Sequence, residues 1–227
     1  MKIIAAAGLT LLLSTYVALL CVRTRAAASP SDRFTVVIDA GHGGIDGGVS
    51  GITTGVKESE LNLDIARKLK TKFDKSGAKT VMTRKTEAGL YGIYSKGFKR
   101  RDMQKRKEII NGARADAFLS VHLNYYSSPT RRGAQAFFNS EDEKGRKLAE
   151  YIQKNLNDLS GQTRPLAALA GDYYVLNEAN CTAILCECGF LSNSEDEKLL
   201  LSEEYRDKIA ERIFNGIEKY RFSLVDK

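Results

Sequence analysis

The chain of 227 residues has two histidines, and both stand just past apolar runs. His42 follows residues 34–40 (FTVVIDA), and His122 closes residues 117–122 (AFLSVH). In open α/β sheets, sites form outside the carboxyl ends of the strands. Two histidines at two such ends therefore point to a shared site. An acid at the start of the first helix can join them; Glu58 leads and Glu60 is next. Two imidazoles and one carboxylate form a donor set that zinc accepts in catalytic sites, leaving a fourth position for water. Either histidine alone would read as a hydrogen-bonded loop residue, and Glu58 alone as an acid favoured by the helix macrodipole. Their joint placement argues for a metal.

A second acid stands out in Thr182–Phe190 (TAILCECGF). Side chains alternate along a strand, so Ile184, Cys186 and Cys188 share one face while Leu185 and Glu187 share the other. A carboxylate inside such a run is costly to bury without a partner. Glu187 is there either for an ion pair with a neighbouring helix or for function. The run ends near Gly189, which puts Glu187 near the strand's carboxyl end beside the histidines. Facing a metal without ligating it, Glu187 can take a proton from an attacking water and pass it to a leaving amine.

The elements that must position these residues follow from periodicity. Residues 34–40 read as a strand buried on both faces. A glycine-rich loop follows, then a helix over Glu58–Lys75 with Leu61, Ile65, Leu69 and Phe73 as its apolar stripe. Residues 79–84 read as a second strand and 100–115 as a second helix, with Met103, Ile110 and Ala113 inward. Residues 117–122 and 133–139 give further strands. The spacing from Ser140 to Glu143 suits a capping box and opens a helix to about Leu159. Residues 172–176 and 182–190 read as strands, and 202–222 as the last helix. The alternation predicts a single α/β domain over residues 34–222, with a mostly parallel twisted sheet of about six strands and helices on both faces. Residues 86–99 read as a surface loop specific to this protein.

Residues 3–22 hold no charge, and twenty helical residues cover roughly 30 Å, about one bilayer core. Residues 1–28 are thus expected to be a signal peptide or an N-terminal membrane anchor, and the chain to be exported. Removing them takes away Lys2, Arg23 and Arg25 and no acid, so the formal charge of +7 becomes mild. That balance suits an anionic wall or membrane surface and excludes a nucleic-acid partner from the reading. With Cys21 in the apolar stretch, Cys181, Cys186 and Cys188 remain, an odd number that suits neither a disulfide scaffold nor a zinc knuckle. They read as buried strand cysteines with at most one bridge.

Residues 36–51 (VVIDAGHGGIDGGVSG), 57–63 (KESELNL), 115–124 (ADAFLSVHLN) and 184–193 (ILCECGFLSN) together resemble the zinc-dependent N-acetylmuramoyl-L-alanine amidases of bacterial cell walls. The resemblance covers about residues 34–222. It implies zinc ligation by His42, Glu58 and His122, with Glu187 as the catalytic acid/base and Glu60 left either solvated or supporting a ligand from behind. The single-domain build and the segments 133–138 (GAQAFF) and 171–176 (GDYYVL) are most similar to the germination-specific, spore-cortex amidases. The resemblance implies cleavage of the amide between N-acetylmuramic acid and L-alanine, so that muramic δ-lactam can form in the cortex. The implied location is the cell wall or the outer face of the membrane, in the space between forespore and mother cell. Thr182 stands where the family more often has proline.

Without an inhibitory helix, control falls to expression, substrate structure or an accessory activating protein, for which residues 86–99 and the surface near Tyr125 are contacts to consider. Asn124 either binds substrate or caps its turn, and Tyr125 and Tyr126 either line a groove or pack inward. The basic run 100–107 (RRDMQKRK) reads mostly as a solvated helix face. Its functional version would gather stem-peptide carboxylates or anionic wall polymers. Two rivals remain, another zinc wall hydrolase (peptidase or deacetylase) and a catalytically silent wall-binding module.

Overall fold

In the computed structural model, residues 33–225 are described; the apolar stretch at 3–22 lies outside them. The β-branched run becomes β1 (Thr35–Ala40), buried at every position. The glycine-rich loop leads into α1 (Glu58–Lys75), whose buried stripe includes Leu61, Ile65, Leu69 and Phe73. After β2 (Lys79–Met82) come α2 (Phe98–Gly112), β3 (Ala117–Asn124) and β4 (Gln135–Phe138). Then follow α3 (Glu143–Leu156), β5 (Leu169–Ala170), α4 (Tyr174–Asn177), β6 (Thr182–Phe190), α5 (Ser194–Leu201) and α6 (Glu203–Val225).

The six strands form one sheet in the order β2-β1-β3-β6-β4-β5. The four from β2 to β6 are mutually parallel, and β4 runs antiparallel to β6. The carboxyl ends of β1, β3 and β6 therefore share one edge, as the site requires. Register is specific there: Asp39 pairs with Ser120, and His122 with Glu187.

Strand alternation separates two cores. On one face Val36, Ile38, Leu119, Val121, Ile184, Cys186 and Cys188 pack with the stripes of α1, α3 and α6. On the other, Val37, Phe118, Ala183 and Leu185 pack with Ile110 of α2 and Val175 and Leu176 of α4. Among the described residues no helix is long and apolar enough to cross a membrane.

Four local expectations are corrected. Residues 172–176 are not a strand: Val175 and Leu176 are adjacent yet enter the same cluster, which strand alternation forbids and the helical turn of α4 allows. The short strand beside β4 is Leu169–Ala170. Helix α3 is capped by Asp142, whose side chain accepts from Gly145 N at 2.9 Å, rather than by Ser140. Helix α5 has no counterpart in the periodicity reading; Asn193 caps it, accepting from the backbone amides of Glu195 and Asp196. Finally, the basic run in α2 is not a simple solvated face. Arg100, Gln104 and Lys105 are exposed, but Arg106 is 2% exposed and Asp102 is buried beside it.

Candidate metal centre

The glycine-rich loop is shaped around His42. The Gly41 amide donates to Val121 O, and the Gly43 amide to Asp46 O. At Gly41 a Cβ would lie 2.3 Å from the His122 ring, so only glycine lets the two strand ends approach. At Gly48, with φ 68°, a Cβ would sit 2.3 Å from Glu58 Oε2 and 2.8 Å from the His42 ring. The loop thus leaves a cradle that a side chain would fill. Its far end is anchored by Glu197 of α5, fully buried, which accepts from the amides of Thr53 and Thr54 at 2.8 Å each.

Glu58 opens α1 and is 2% exposed. Its Oε1 lies 2.9 Å from His122 Nδ1, and its Oε2 lies 3.4 Å from His42 Nε2. The two rings meet edge-on with centroids 5.0 Å apart. The amides of Val49 and Leu123 and the Asn62 side chain donate to the same carboxylate at 3.0, 3.1 and 3.1 Å. One atom from each of His42, Glu58 and His122 falls within 4.8 Å of the others, so the group could hold a metal ion. It is the one such group among the described residues. Glu60 is exposed in the first turn of α1.

Electrostatics follow from burial and from these contacts. Burial pushes Glu58 upward, but His122, His42 and the Val49 amide outweigh it and hold the carboxyl at about 2. Burial pulls His122 down, yet Glu58, with Glu187 and Asp39, leaves its pKa above the ordinary value. On the other side of the His42 ring, Nδ1 lies 3.0 Å from Asp46 Oδ2, and that bond holds Asp46 at about 2. A carboxylate on the far nitrogen of a ligand histidine fixes its tautomer and orientation.

Glu187 faces this group from β6, opposite His122 in register. It is 7% exposed, and its Oε2 is buried with no hydrogen-bond partner. Burial pushes its carboxyl up to about 7; Glu58 adds to that, while His122 and His42 oppose it. An acid poised there can hold a proton or release it at neutral pH. Burial, with Glu187 close by, raises the Tyr173 hydroxyl to about 12. Among the described residues no helix cation pairs with Glu187, the other reading of this acid.

A cavity of about 280 Å³ opens beside the two histidines, with Phe98, Met103, Tyr173, Tyr174 and Val175 among its walls. Lys99 stands at its rim, 3.6 Å from Asp46. Asn124 Oδ1 accepts from the Tyr125 amide at 2.8 Å, the turn-capping member of its two expected roles. Tyr125 and Tyr126 are exposed. Cys181, Cys186 and Cys188 are free thiols, the last two buried.

The segment 86–97 is irregular, as expected, but it is tied to the site. The Gly44 amide donates to Glu87 O at 2.6 Å, and the Ile45 amide to the Tyr91 hydroxyl at 2.8 Å. Several polar residues around the site were not signalled by motif spacing: Asp39, Asp46, Asn62, Arg84 and Arg106. For Asp39 a signal existed, an acid inside the apolar run VVIDA, the same anomaly that marks Glu187.

Residues 36–219 match the family model described as N-acetylmuramoyl-L-alanine amidase. The germination-specific N-acetylmuramoyl-L-alanine amidase of Bacillus subtilis is 34% identical over 189 residues, covering 82% of this chain and 78% of the relative. Among solved structures, the CwlD amidase from Clostridioides difficile in complex with the GerS lipoprotein superposes with a TM-score of 0.81. It is 34% identical, and the match covers 84% of this chain and 100% of that one. An N-acetylmuramoyl-L-alanine amidase from Clostridium difficile 630 follows at a TM-score of 0.75 and 32% identity, covering 85% of this chain and 98% of its own.

Proposed function

The chain belongs to the N-acetylmuramoyl-L-alanine amidase family, and from that premise we propose that His42, Glu58 and His122 hold a catalytic zinc ion while Glu187 carries the proton. The enzyme is an N-acetylmuramoyl-L-alanine amidase acting on peptidoglycan. The observation that carries the site assignment is the convergence of two imidazoles on one buried carboxylate, with a second, unpartnered carboxyl facing them.

The donor set fits zinc, which accepts two imidazoles and a carboxylate and retains an open position. The cradle at Gly48 and the three donors already fixing Glu58 support the same fit, since they hold the carboxylate before any ion arrives. Bound there, zinc supplies Lewis-acid polarisation of the scissile carbonyl and acidifies water. Glu187 then accepts the proton of the attacking water as the oxygen bonds to the carbonyl carbon. The same carboxyl returns that proton to the L-alanine nitrogen as the C–N bond breaks. The products are a lactyl carboxylate on the muramic acid and a free L-alanine amine. A carboxyl near pH 7 serves both halves, because it gives and takes a proton at little cost. Asp46 orients the His42 ring from behind.

The finer setting belongs to the same proposal. Residues 1–28 act as a signal peptide or membrane anchor, and residues 34–222 work outside the cytoplasm on the cell wall. The likeness to a germination-specific amidase supports a role in spore-cortex maturation in the forespore–mother cell space, where this hydrolysis frees the lactyl carboxylate and a separate reaction must remove the acetyl group and expel water before muramic δ-lactam closes. The related amidase solved with a lipoprotein supports an accessory activating partner for this chain too.

The test is a digest of purified peptidoglycan by the zinc-loaded chain, read by mass spectrometry. New L-alanine amino termini and peptide-free muramic acid are expected. Cleavage inside the stem peptide, or loss of acetyl groups, would assign the chain to the other classes of wall hydrolase.

A further inference from the structure

His42 is one of two non-glycine residues with positive φ among the described residues, at 60°, and Gly43 and Gly44 continue the turn at 136° and 65°. A left-handed conformation is uncommon for a residue with a Cβ and persists only where its surroundings hold it. Behind this turn lie two buried arginines. Arg84 donates to Ala40 O at 2.9 Å, to Gly41 O at 3.0 Å and to Ser59 O at 2.7 Å. Arg106 reaches across from α2 to donate to Ala40 O at 2.9 Å and to His42 O at 2.6 Å. Two further donors meet the carboxylates of Asp102, at 2.7 Å, and Asp39.

Resting on the reading of His42 as a metal ligand, we propose that Arg106 is a positioning residue of that centre. Its guanidinium grips the His42 carbonyl and so fixes the turn that aims the imidazole at Glu58 and His122. Every nitrogen of the fork is used, and the three directions are set by the planar group. A lysine would keep the charge but offers one point of attachment. Arg106 is itself over-determined. Asp39, which orients it, also accepts from Thr83 Oγ1 at 2.6 Å and Ser120 Oγ at 2.8 Å. Asp102, which sets Nε, also accepts from the Leu90 amide.

Two arginines against two aspartates make the cluster formally neutral. A buried ionic cluster is not a strong source of stability, since apolar residues of similar volume often do as well. An apolar side chain at position 106 would leave the His42 carbonyl without this donor. The cluster sits on the sheet face that carries His122 and Glu187, directly under the loop that bears His42. Placement and geometry thus point to orientation of the site rather than to core packing.

The test compares the full wild-type chain with Arg106→Lys, using three readouts: metal affinity by competition with a chromogenic chelator, the visible spectrum of the cobalt-loaded protein, and thermal unfolding without metal. Ile184→Val, on the opposite sheet face, controls for general loss of stability. Arg106→Lys is expected to fold, to bind zinc about 10- to 100-fold more weakly, the usual cost of losing a supporting contact, and to show an altered cobalt spectrum. The control is expected to lose stability with affinity and spectrum unchanged. A folded Arg106→Lys with wild-type affinity and spectrum overturns the proposal, as does an equal loss of affinity in the control. Should Arg106→Lys fail to fold, Asp102→Asn loosens the fork at Nε and keeps an amide oxygen that can still accept from the Leu90 amide. Weaker zinc binding in that variant supports the proposal, and wild-type affinity overturns it. If the wild-type chain binds no metal, or if His42→Ala leaves its affinity intact, the metal-centre reading itself falls.

Discussion

The two faces of the sheet are built from the same strands and do opposite things. Along β6, Ile184, Cys186 and Cys188 enter a closed apolar core, while Ala183, Leu185 and Glu187 run from apolar packing to a titratable carboxyl at the strand end. On β3 the split is Leu119, Val121 and Leu123 against Phe118, Ser120 and His122; on β1 it is Val36, Ile38 and Ala40 against Val37 and Asp39. The face under α1, α3 and α6 is a near-continuous core. The face under α2 and α4 gives up part of its apolar packing to Asp39, Asp102, Arg84 and Arg106, which satisfy one another and the loop carbonyls. The strand-borne chemical groups fall on one side of the pleat because alternation lets adjacent residues have unrelated environments, and Glu58 joins them from the start of α1. The large core opposite is what tolerates that polar cluster.

Substituting neighbours that point to opposite faces separates the two environments most clearly. Glu187→Gln is expected to retain stoichiometric zinc and lose turnover by about 10²–10⁴-fold, measured by muropeptide release and metal analysis. Cys188→Ala, one residue on, should leave turnover near wild type and cost about 1 kcal/mol of stability. Equal activity loss in both would erase the distinction between the faces.

Next in size, Leu148→Ala in the large core should cost about 2–5 kcal/mol by chemical denaturation while the folded fraction keeps its zinc. Loss of zinc from protein that remains folded would show the two faces to be coupled.

Linkage sharpens the same contrast. In chelator-treated protein, unfolded Glu187 releases its proton near 4.5, while the folded carboxyl holds it to about 7. Across that window the folded state binds more protons, so stability falls as pH rises. Relative to Glu187→Gln, the metal-free wild type should lose about 2–3 kcal/mol between pH 4.5 and 8. Parallel stability curves for the two proteins would contradict the buried carboxyl.

The smallest expected effect is at the rim. Asp46→Asn weakens the support behind His42 and should reduce zinc affinity about 10-fold or somewhat more, read by the same competition assay, with stability little changed. Unaltered affinity would remove Asp46 from the account.

Much of this site is legible in the sequence because its parts fall at strand ends. His42, His122 and Glu187 close apolar runs, and Glu58 opens the helix after the first of them. Parallel order then brings them to one edge. The supporting shell is harder to see. The stripe Met103–Ile110–Ala113 has a gap at 106, and a basic residue in a gap looks solvated until a partner from another strand is known. That partner, Asp39, lies 67 residues away. Helix α4 looks like a strand because a single turn of four residues is too short for helical periodicity to register. Helix α5 is similarly brief at eight residues, and its onset rests on the Asn193 cap rather than on an apolar stripe.

The most direct test is anomalous diffraction at the zinc edge from crystals of the wild-type chain. A single strong peak is expected about 2.0–2.2 Å from donor atoms of His42, Glu58 and His122, with the Glu187 carboxyl beside it but not bound. A peak ligated by other residues, or zinc-loaded crystals in which those three side chains hold no ion, would contradict it.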